Sequence, residues 1–473
     1  MGLTSAFHTS ASGLRVSQNG LAVVGNNIAN ADTEGYSRQR AEISAYDPVS
    51  LGPNTGYMGR GAFVERISRA EDRFLELQVL RDRTTRGYFG GRETILASVE
   101  RLYTENAEPA MGAAFDQFFN AASEVTQDAT SQAARNAFVR AAEDVATSFQ
   151  TMDRDLRTLQ RGIDDTLQDR LREVNAIAAR IADANARIVS GEAGEGHAND
   201  FRDLRDQAIR ELSELVDVNV LPQKDGTYTV EIANGFNIVQ GDRHSTLEGT
   251  PAGPGPQGLI NIELVGINGG RTDIHAQLRR GEIGGLLDVR DNVLADDLAE
   301  LDQMAFTFAT EVNAVHQQGF GLDGNNARDL YDVPAGGAQF SAANLQVNAL
   351  ITGNPRLLGV AEDGNFLPGD NRNFQALTDL QDVQHGALGG ATFNRRYAEI
   401  LHDVGQTTGD NMRALQYHDV RAAQSEGLRE SVEGVSIDDE MLDLTRFQKH
   451  FEANSRVVTT VTQLLDTVLQ LLQ

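Results

Sequence analysis

The chain of 473 residues contains no cysteine and no tryptophan, only two lysines, Lys224 and Lys449, and no long apolar run. Without cysteine there are no disulfides, no thiolate metal sites and no cysteine nucleophile. No stretch reaches the ~18 uninterrupted apolar residues that a membrane-spanning helix requires. The N-terminal segment lacks both a basic start and a long apolar core, so a cleaved signal peptide is not expected. Basic residues are also scarce: 68 acidic against 41 basic side chains leave a net charge of −27. Such a chain repels phosphate backbones and anionic headgroups, which argues against nucleic acid and against membrane insertion. Aromatics make up only 6% of residues, which points to aliphatic, helix-on-helix packing.

Motifs of catalysis are lacking as well. The one GxGxxG string, Gly253 to Gly258, holds two prolines and opens no helix. Asp323-Gly324-Asn325-Asn326 lacks the ligand spacing of a calcium loop and reads as a tight turn. The nine histidines form no HExxH and no close pair; His402 and His418 read as exposed helix positions. With no GxSxG elbow and no P-loop, neither an enzyme nor a cofactor or metal site is expected.

Helical periodicity dominates what is present. Leu3, Phe7, Ser10, Leu14, Ser17, Leu21, Val24 and Ile28 alternate steps of four and three, a heptad seam, until Asn30, Asp32 and Gly35 break it. Ile43 to Ile67 is rich in glycine, with Pro48 and Pro53, and reads as an extended loop or hairpin. A helical period returns from Arg69 to about Val189. Its long seam runs from Phe138 to Ile188 and shifts phase near Leu167 and Leu171, which changes supercoiling without ending a helix. Alternation in Val216 to Val265, with a turn at Asp225-Gly226, predicts a small β domain. A helix follows on Leu294 to Val315, then a loop-rich stretch over 319–390, then a helix from Phe393 to about Gly434. The last helix opens on a capping box, Ser436 with Asp439. Its seam of Leu444, Phe447, Phe451, Asn454, Val458, Val461, Leu465, Val468 and Leu472 runs to the end of the chain.

The predicted architecture is therefore mainly α with an inserted small β domain, an elongated multidomain chain whose N- and C-terminal helices pair as a coiled coil. The expected units are 1–40, 41–215, 216–275, 276–436 and 437–473. Gly13, Gly20 and Gly25 each weaken the first helix by about 1 kcal/mol relative to alanine, so it should order only when its stripe is covered. Val457, Leu464 and Leu471 widen the apolar face of the last helix beyond one partner. Periodicity alone fits two readings equally: an intramolecular pair closing an ordinary helical domain, or a pair that also meets other subunits.

The segment Asn26, Asn27, Ile28, Ala29, Asn30, Ala31, Asp32, Thr33, Glu34, Gly35, Tyr36, Ser37, Arg38, Gln39, Arg40 resembles the signature shared by axial proteins of the bacterial flagellum, the rod, hook and hook-associated subunits. Gly281 to Gly324 and Gly434 to Thr460 are similar to the same family. The resemblance implies a structural homo-oligomer at the junction of hook and filament, exported through the flagellar type III channel. It implies hook protein, hook-associated protein 3 and a cytoplasmic export chaperone at the C-terminal region as partners, and no catalytic residues. A second reading keeps the flagellar-type ends but gives an enzymatic or binding activity to Val216 to Val265.

Overall fold

The computed structural model describes residues 2–50, 56–105, 111–192, 198–251, 258–333 and 339–471. Leu472 and residues 253–257 of the proline- and glycine-rich loop lie outside them. Helix α1 (Gly2–Ala29) ends in a turn that closes on Gly35, whose φ is +82°. Of the two readings of Ile43 to Ile67, loop or hairpin, a hairpin is found: β1 (Gln39–Ala45) pairs antiparallel with β4 (Ala62–Arg69), and the short β2 (Val49–Ser50) and β3 (Tyr57–Met58) pair further out.

The body begins with α2 (Arg73–Glu105), α3 (Met111–Gln127), α4 (Gln132–Glu192) and α5 (Asn199–Leu215). The predicted phase shift is carried within α4, an unbroken helix of 61 residues with Phe149, Leu156, Ile163, Leu167, Leu171 and Val174 all buried. The β-rich segment forms two antiparallel sheets. One has β5 (Val218–Pro222), β6 (Tyr228–Ile232), β7 (Phe236–Gln240) and β8 (Arg243–His244) in order. The other places β10 (Ile260–Val265) between β9 (Thr246–Pro251) and β11 (Arg271–Asp273). The predicted turn is present, with Gly226 at φ +83° and Asp225 accepting the Thr227 amide at 3.0 Å. Both sheets are fastened to α4: Asn185 donates to Tyr228 O at 3.0 Å, and Asn175 exchanges hydrogen bonds of 2.9 and 2.7 Å with the Leu247 backbone.

Helix α6 (Gly281–Asp288) runs through a π-helical turn, Val289–Val293, into α7 (Leu294–His316). The extra residue of that turn swings Arg290 inward, where Nη1 reaches Asp164 at 2.5 Å and Ile260 O at 3.0 Å. The loop-rich stretch holds β12 (Tyr331–Asp332), β13 (Gln346–Val347), α8 (Ala349–Gly353) and α9 (Arg372–Asp379). Helix α10 (Phe393–Glu433) starts on a Thr392 cap that accepts the Arg395 amide at 3.3 Å, and α11 (Ile437–Leu471) follows after Gly434.

One continuous apolar core, from Leu80 to Val404, takes in helices and both larger sheets. One part of it departs from the expected aliphatic packing, because Phe308 meets Phe115, Phe118 and Phe393 at centroid distances of 5.2, 5.2 and 5.1 Å. His418 also departs from the sequence reading: it is half-buried and stacked on Phe89 at 5.1 Å. Among the described residues, no member of α1 or α11 belongs to that core.

Candidate assembly interface and its joint

Helices α1 and α11 pack antiparallel, and their register can be read from three contacts. A Cβ on Gly13 would lie 2.7 Å from Asn454, one on Gly20 would lie 2.5 Å from the Phe447 ring, and Asn27 meets Glu440 at 3.0 Å. Both helices advance seven residues between contacts, which is two turns of an antiparallel heptad pair. The centre of the contact on α1 is made of small residues, Ser10, Gly13, Ser17, Gly20, Val24 and Asn27, so the helices approach closely. Ser10, Ser17 and Val24 are buried on the predicted seam. Leu14, Leu21 and Ile28 flank it half-buried, because Gly13, Gly20 and Asn27 take the middle. Leu3 is half-buried and Phe7 is exposed at the edge.

On α11 the predicted seam and the shielded line coincide from Leu444 through Phe447, Phe451, Asn454, Val458 and Val461 to Leu465. Val468 departs from it, at 45% exposure. Continued along the pair, the register sets Leu465 across from Gly2, so no described residue of α1 lies opposite Val468.

The two glycines therefore differ in what a methyl group would do. At Gly13 the obstacle is the flexible Asn454 side chain, and Gly13→Ala should be neutral or stabilise α1 by up to about 1 kcal/mol through helix propensity. At Gly20 the obstacle is the Phe447 ring, and overpacking costs about 1 to 3 kcal/mol, more than the propensity gain. Hydrogen exchange over residues 16–26 in the full-length chain should accelerate in Gly20→Ala and not in Gly13→Ala. Equal behaviour would contradict this register.

The joint between this pair and the body is built by the signature segment. Asn27 is buried, and its amide donates to Gln39 O at 2.9 Å and to Glu440 Oε2 at 3.0 Å. Its Oδ1 accepts from Gln39 N at 3.0 Å and from the Tyr36 hydroxyl at 2.8 Å. Arg38 donates Nε to Glu440 Oε1 at 2.6 Å and its backbone N–H to Glu433 O at 2.8 Å. Asn26 reaches Tyr36 at 3.3 Å, Asn30 folds back on Asn26 at 2.9 Å, and Thr33 donates to Asn30 at 3.4 Å. Ser37 N donates to Asp203 at 3.3 Å and Gln39 Nε2 to Asp200 at 3.0 Å, which ties the turn to α5. Burial, with Asp200, Asp203 and Glu440 nearby, pushes the Tyr36 hydroxyl far above its usual pKa, so it stays a donor.

A second tier of ion pairs continues inward. Arg69 pairs with Asp203 at 2.6 Å and Asp206 at 2.7 Å, and Arg429 pairs with Glu433 at 3.1 Å. Glu433 also accepts the Asp72 amide at 2.8 Å. Burial opposes the charge of Arg69, but Asp206 and Asp203 outweigh it and raise its pKa. Burial pushes the Asp203 and Glu76 carboxyls up against the pull of Arg69 and Arg210.

The capping-box serine accepts the Asp439 amide at 3.4 Å, while the Asp439 carboxylate sits 3.8 Å from Arg38. The body-side acids and Glu440 were not singled out from sequence. Glu440 did carry a signal, an acid in phase with the Leu444 and Phe447 seam and therefore in need of a buried partner. Among the described residues no three His, Cys, Asp or Glu side chains are grouped to hold a metal, and no helix is long and apolar enough to cross a membrane.

Comparison with known proteins agrees with this geometry. The family model of the helical domain of flagellar hook-associated protein FlgK matches residues 96–331. Those of the flagellar basal body rod protein and of the flagellar basal body rod FlgEFG protein C-terminal region match 7–36 and 431–471. Flagellar hook-associated protein 1 of Salmonella typhimurium is 26% identical over 99% of this chain and 100% of that protein; the Bacillus subtilis protein is 25% identical over 99% and 98%. The structure of the flagellar hook junction protein FlgK from Burkholderia pseudomallei, at 15% identity, shares the fold, with a TM-score of 0.67 over 75% of this chain and 100% of that one. The chain therefore belongs to the flagellar hook-associated protein 1 family of bacterial flagellar axial proteins.

Proposed function

We propose that this chain is a structural subunit of the hook–filament junction of the flagellum, in which the α1–α11 pair packs against further copies and the acidic body faces solvent. The observation that carries this is the outer face of α11, where Val457 and Leu464 are 43% and 47% exposed on a helix whose other apolar line is already covered. Burying such side chains is worth roughly 1.5 to 3 kcal/mol each, which a lone pair leaves unrealised. Charge supports the same arrangement. Arg15 is the single formally charged side chain of residues 2–29 (+1), and over 444–473 Arg446, Lys449 and Arg456 outnumber Glu452 and Asp466 (+1), so the rest of the chain carries −29, with only Asp438, Asp439, Glu440 and Asp443 of its acids on α11. Copies meeting through their ends avoid that repulsion.

The assembly interface in this reading comprises the seam residues of α1 and α11 together with that outer face, and the signature residues Asn26 to Gln39 set its joint. Hook protein and hook-associated protein 3 are the neighbours. A cytoplasmic chaperone holds the C-terminal region before export through the flagellar type III apparatus. No catalytic role is assigned. The strands of 216–265 share their core with α4, which favours a structural part over a separable enzymatic or binding module.

Leu465→Asp, at the covered end of the seam, should fray that end of the pair and impair filament attachment while leaving the body folded. Leu464→Asp, on the outer face, should leave the pair and the thermal unfolding of the body unchanged yet still reduce attachment at least tenfold in cells lacking the native protein. Normal attachment with Leu464→Asp would sink the outer-face reading.

A further inference from the structure

The second tier of ion pairs forms one wall of a cleft of about 320 Å³ beside the joint. Ser37 and Arg69 of the joint, the first two turns of α2, one face of α5, the β5–β6 hairpin and Glu433 at the end of α10 border it. Its apolar surface comes from Leu77 and Leu80 of α2, Ile209 of α5 and Val220 of β5. Apolar walls around a few convergent polar groups are the usual make-up of a site for a small molecule.

The charges around this cleft are not equivalent. Its carboxylates are all engaged: Glu76 pairs with Arg210 at 3.2 Å, Asp206 with Arg69 at 2.7 Å, Glu71 with Arg69 at 2.9 Å and Glu433 with Arg429 at 3.1 Å. Asp72 accepts the Phe74 and Leu75 amides at the head of α2, at 2.9 and 3.2 Å. Arg202 is held by Glu192 at 2.8 Å. Arg73 is the cation left over, since it borders the cleft, is exposed and has no ion pair among the described residues. Tyr228 is the donor left over. Its hydroxyl has no partner among the described residues, and burial raises its pKa, so it keeps its proton. The Arg205 guanidinium lies on the Tyr228 ring at 3.4 Å with Nη2 buried and unpartnered among the described residues, which adds positive charge behind that wall.

With every carboxylate committed, the groups still able to bind are a guanidinium and a phenol hydroxyl. They select an anion, and the aliphatic walls select an apolar body to carry it. We propose that the cleft binds a small amphipathic anion, a carboxylate or sulfonate on an aliphatic or aromatic body, and that the bound molecule fastens the joint to the β5–β6 hairpin. A cationic ligand would meet Arg73 and find no uncommitted carboxylate.

Anilinonaphthalene sulfonate, an aromatic sulfonate that fluoresces in apolar surroundings, tests this on the full-length folded chain, with decanoate as competitor. The expected result is one saturable site that decanoate displaces. Arg73→Glu should weaken it about tenfold or more, and Arg73→Lys should largely retain it. Arg73 is exposed in the first turn of α2, where an acidic residue suits the helix end, so the fold is unaffected. With decanoate bound, hydrogen exchange should slow over residues 37–41 and 218–222 and stay as it was over α4. Leu464→Asp should leave binding unchanged. Fluorescence that never saturates, or equal binding by the native chain and Arg73→Glu, overturns the site. Binding abolished by Leu464→Asp also overturns it, by placing the dye on α11. Saturable binding that slows exchange on neither side of the cleft overturns the fastening role.

Discussion

Asn27→Ala should release the terminal pair from the body without changing how the body unfolds. Asn27 is where the end of α1, the start of β1 and the start of α11 meet, through four hydrogen bonds of 2.8 to 3.0 Å. Alanine leaves the Gln39 amide and carbonyl, the Tyr36 hydroxyl and one oxygen of Glu440 with fewer partners. Each buried group left unsatisfied costs about 1 to 3 kcal/mol, so the joint should lose roughly 2 to 5 kcal/mol. Glu440 is itself buried and, among the described residues, keeps Arg38, whose 2.6 Å contact does not serve its second oxygen. Because α1 and α11 contribute nothing to the main core, the loss stays local. Hydrogen exchange should accelerate over α1 and residues 37–41, with the amides of α4 as protected as before. Asn27→Asp should be at least as damaging, because it sets a second carboxylate beside Glu440. Unchanged protection of α1 in Asn27→Ala would mean that packing along Gly13 and Gly20 holds the pair to the body unaided.

That joint shows where sequence reading succeeds and where it stops. Periodicity located the shielded line of α11 from Leu444 to Leu465, because one partner covers one face of a regular helix, and failed at Val468, beyond the end of that partner. It placed the line on α1 only in part. Periodicity favours large apolar side chains as the contact and marks glycines as weak points, yet Gly13 and Gly20 are the contact because a close crossing needs small residues. The signal was there as a seven-residue repeat ending on Asn27. Arg38 and Glu440 lie 402 residues apart, and no local pattern announces such a partnership. The π turn at Val289–Val293 was equally hidden, since one extra residue in a helix leaves the apolar pattern almost unchanged. The short elements of 319–390 escaped because strands of two residues are too brief to show a period.

Just before that stretch, at the end of α7, His316 should give the chain a pH dependence opposite to that of its buried acid Asp297. The ring is buried at the end of α7, with Nδ1 2.7 Å from Arg328 O and Nε2 accepting the Gly359 amide at 3.0 Å. A donor at Nδ1 and an acceptor at Nε2 together require the neutral ring, with its proton on Nδ1, and burial holds the pKa near 4 against an ordinary 6.5. The unfolded chain then binds the extra proton between about pH 6.5 and 4. The stability that neutral His316 contributes is complete above pH 6.5 and falls as the pH drops through that window. Asp297, whose carboxyl burial and the neighbouring Glu300 and Asp296 push up to about 7, contributes in the other sense, gaining stability as the pH falls. Comparing the native chain with His316→Leu cancels Asp297 and every other shared group. At pH 7.5 the variant leaves the Arg328 carbonyl and the Gly359 amide unpaired and should be less stable by roughly 2 to 4 kcal/mol. At pH 5.0 the native chain alone pays to keep the ring neutral, about 2 kcal/mol, so the gap should narrow by that amount. Urea unfolding followed by circular dichroism at both pH values measures it. A gap that stays constant would show that His316 accepts its proton inside the fold, with the Gly359 contact broken and the loop between Gly319 and Gly359 rearranged around it.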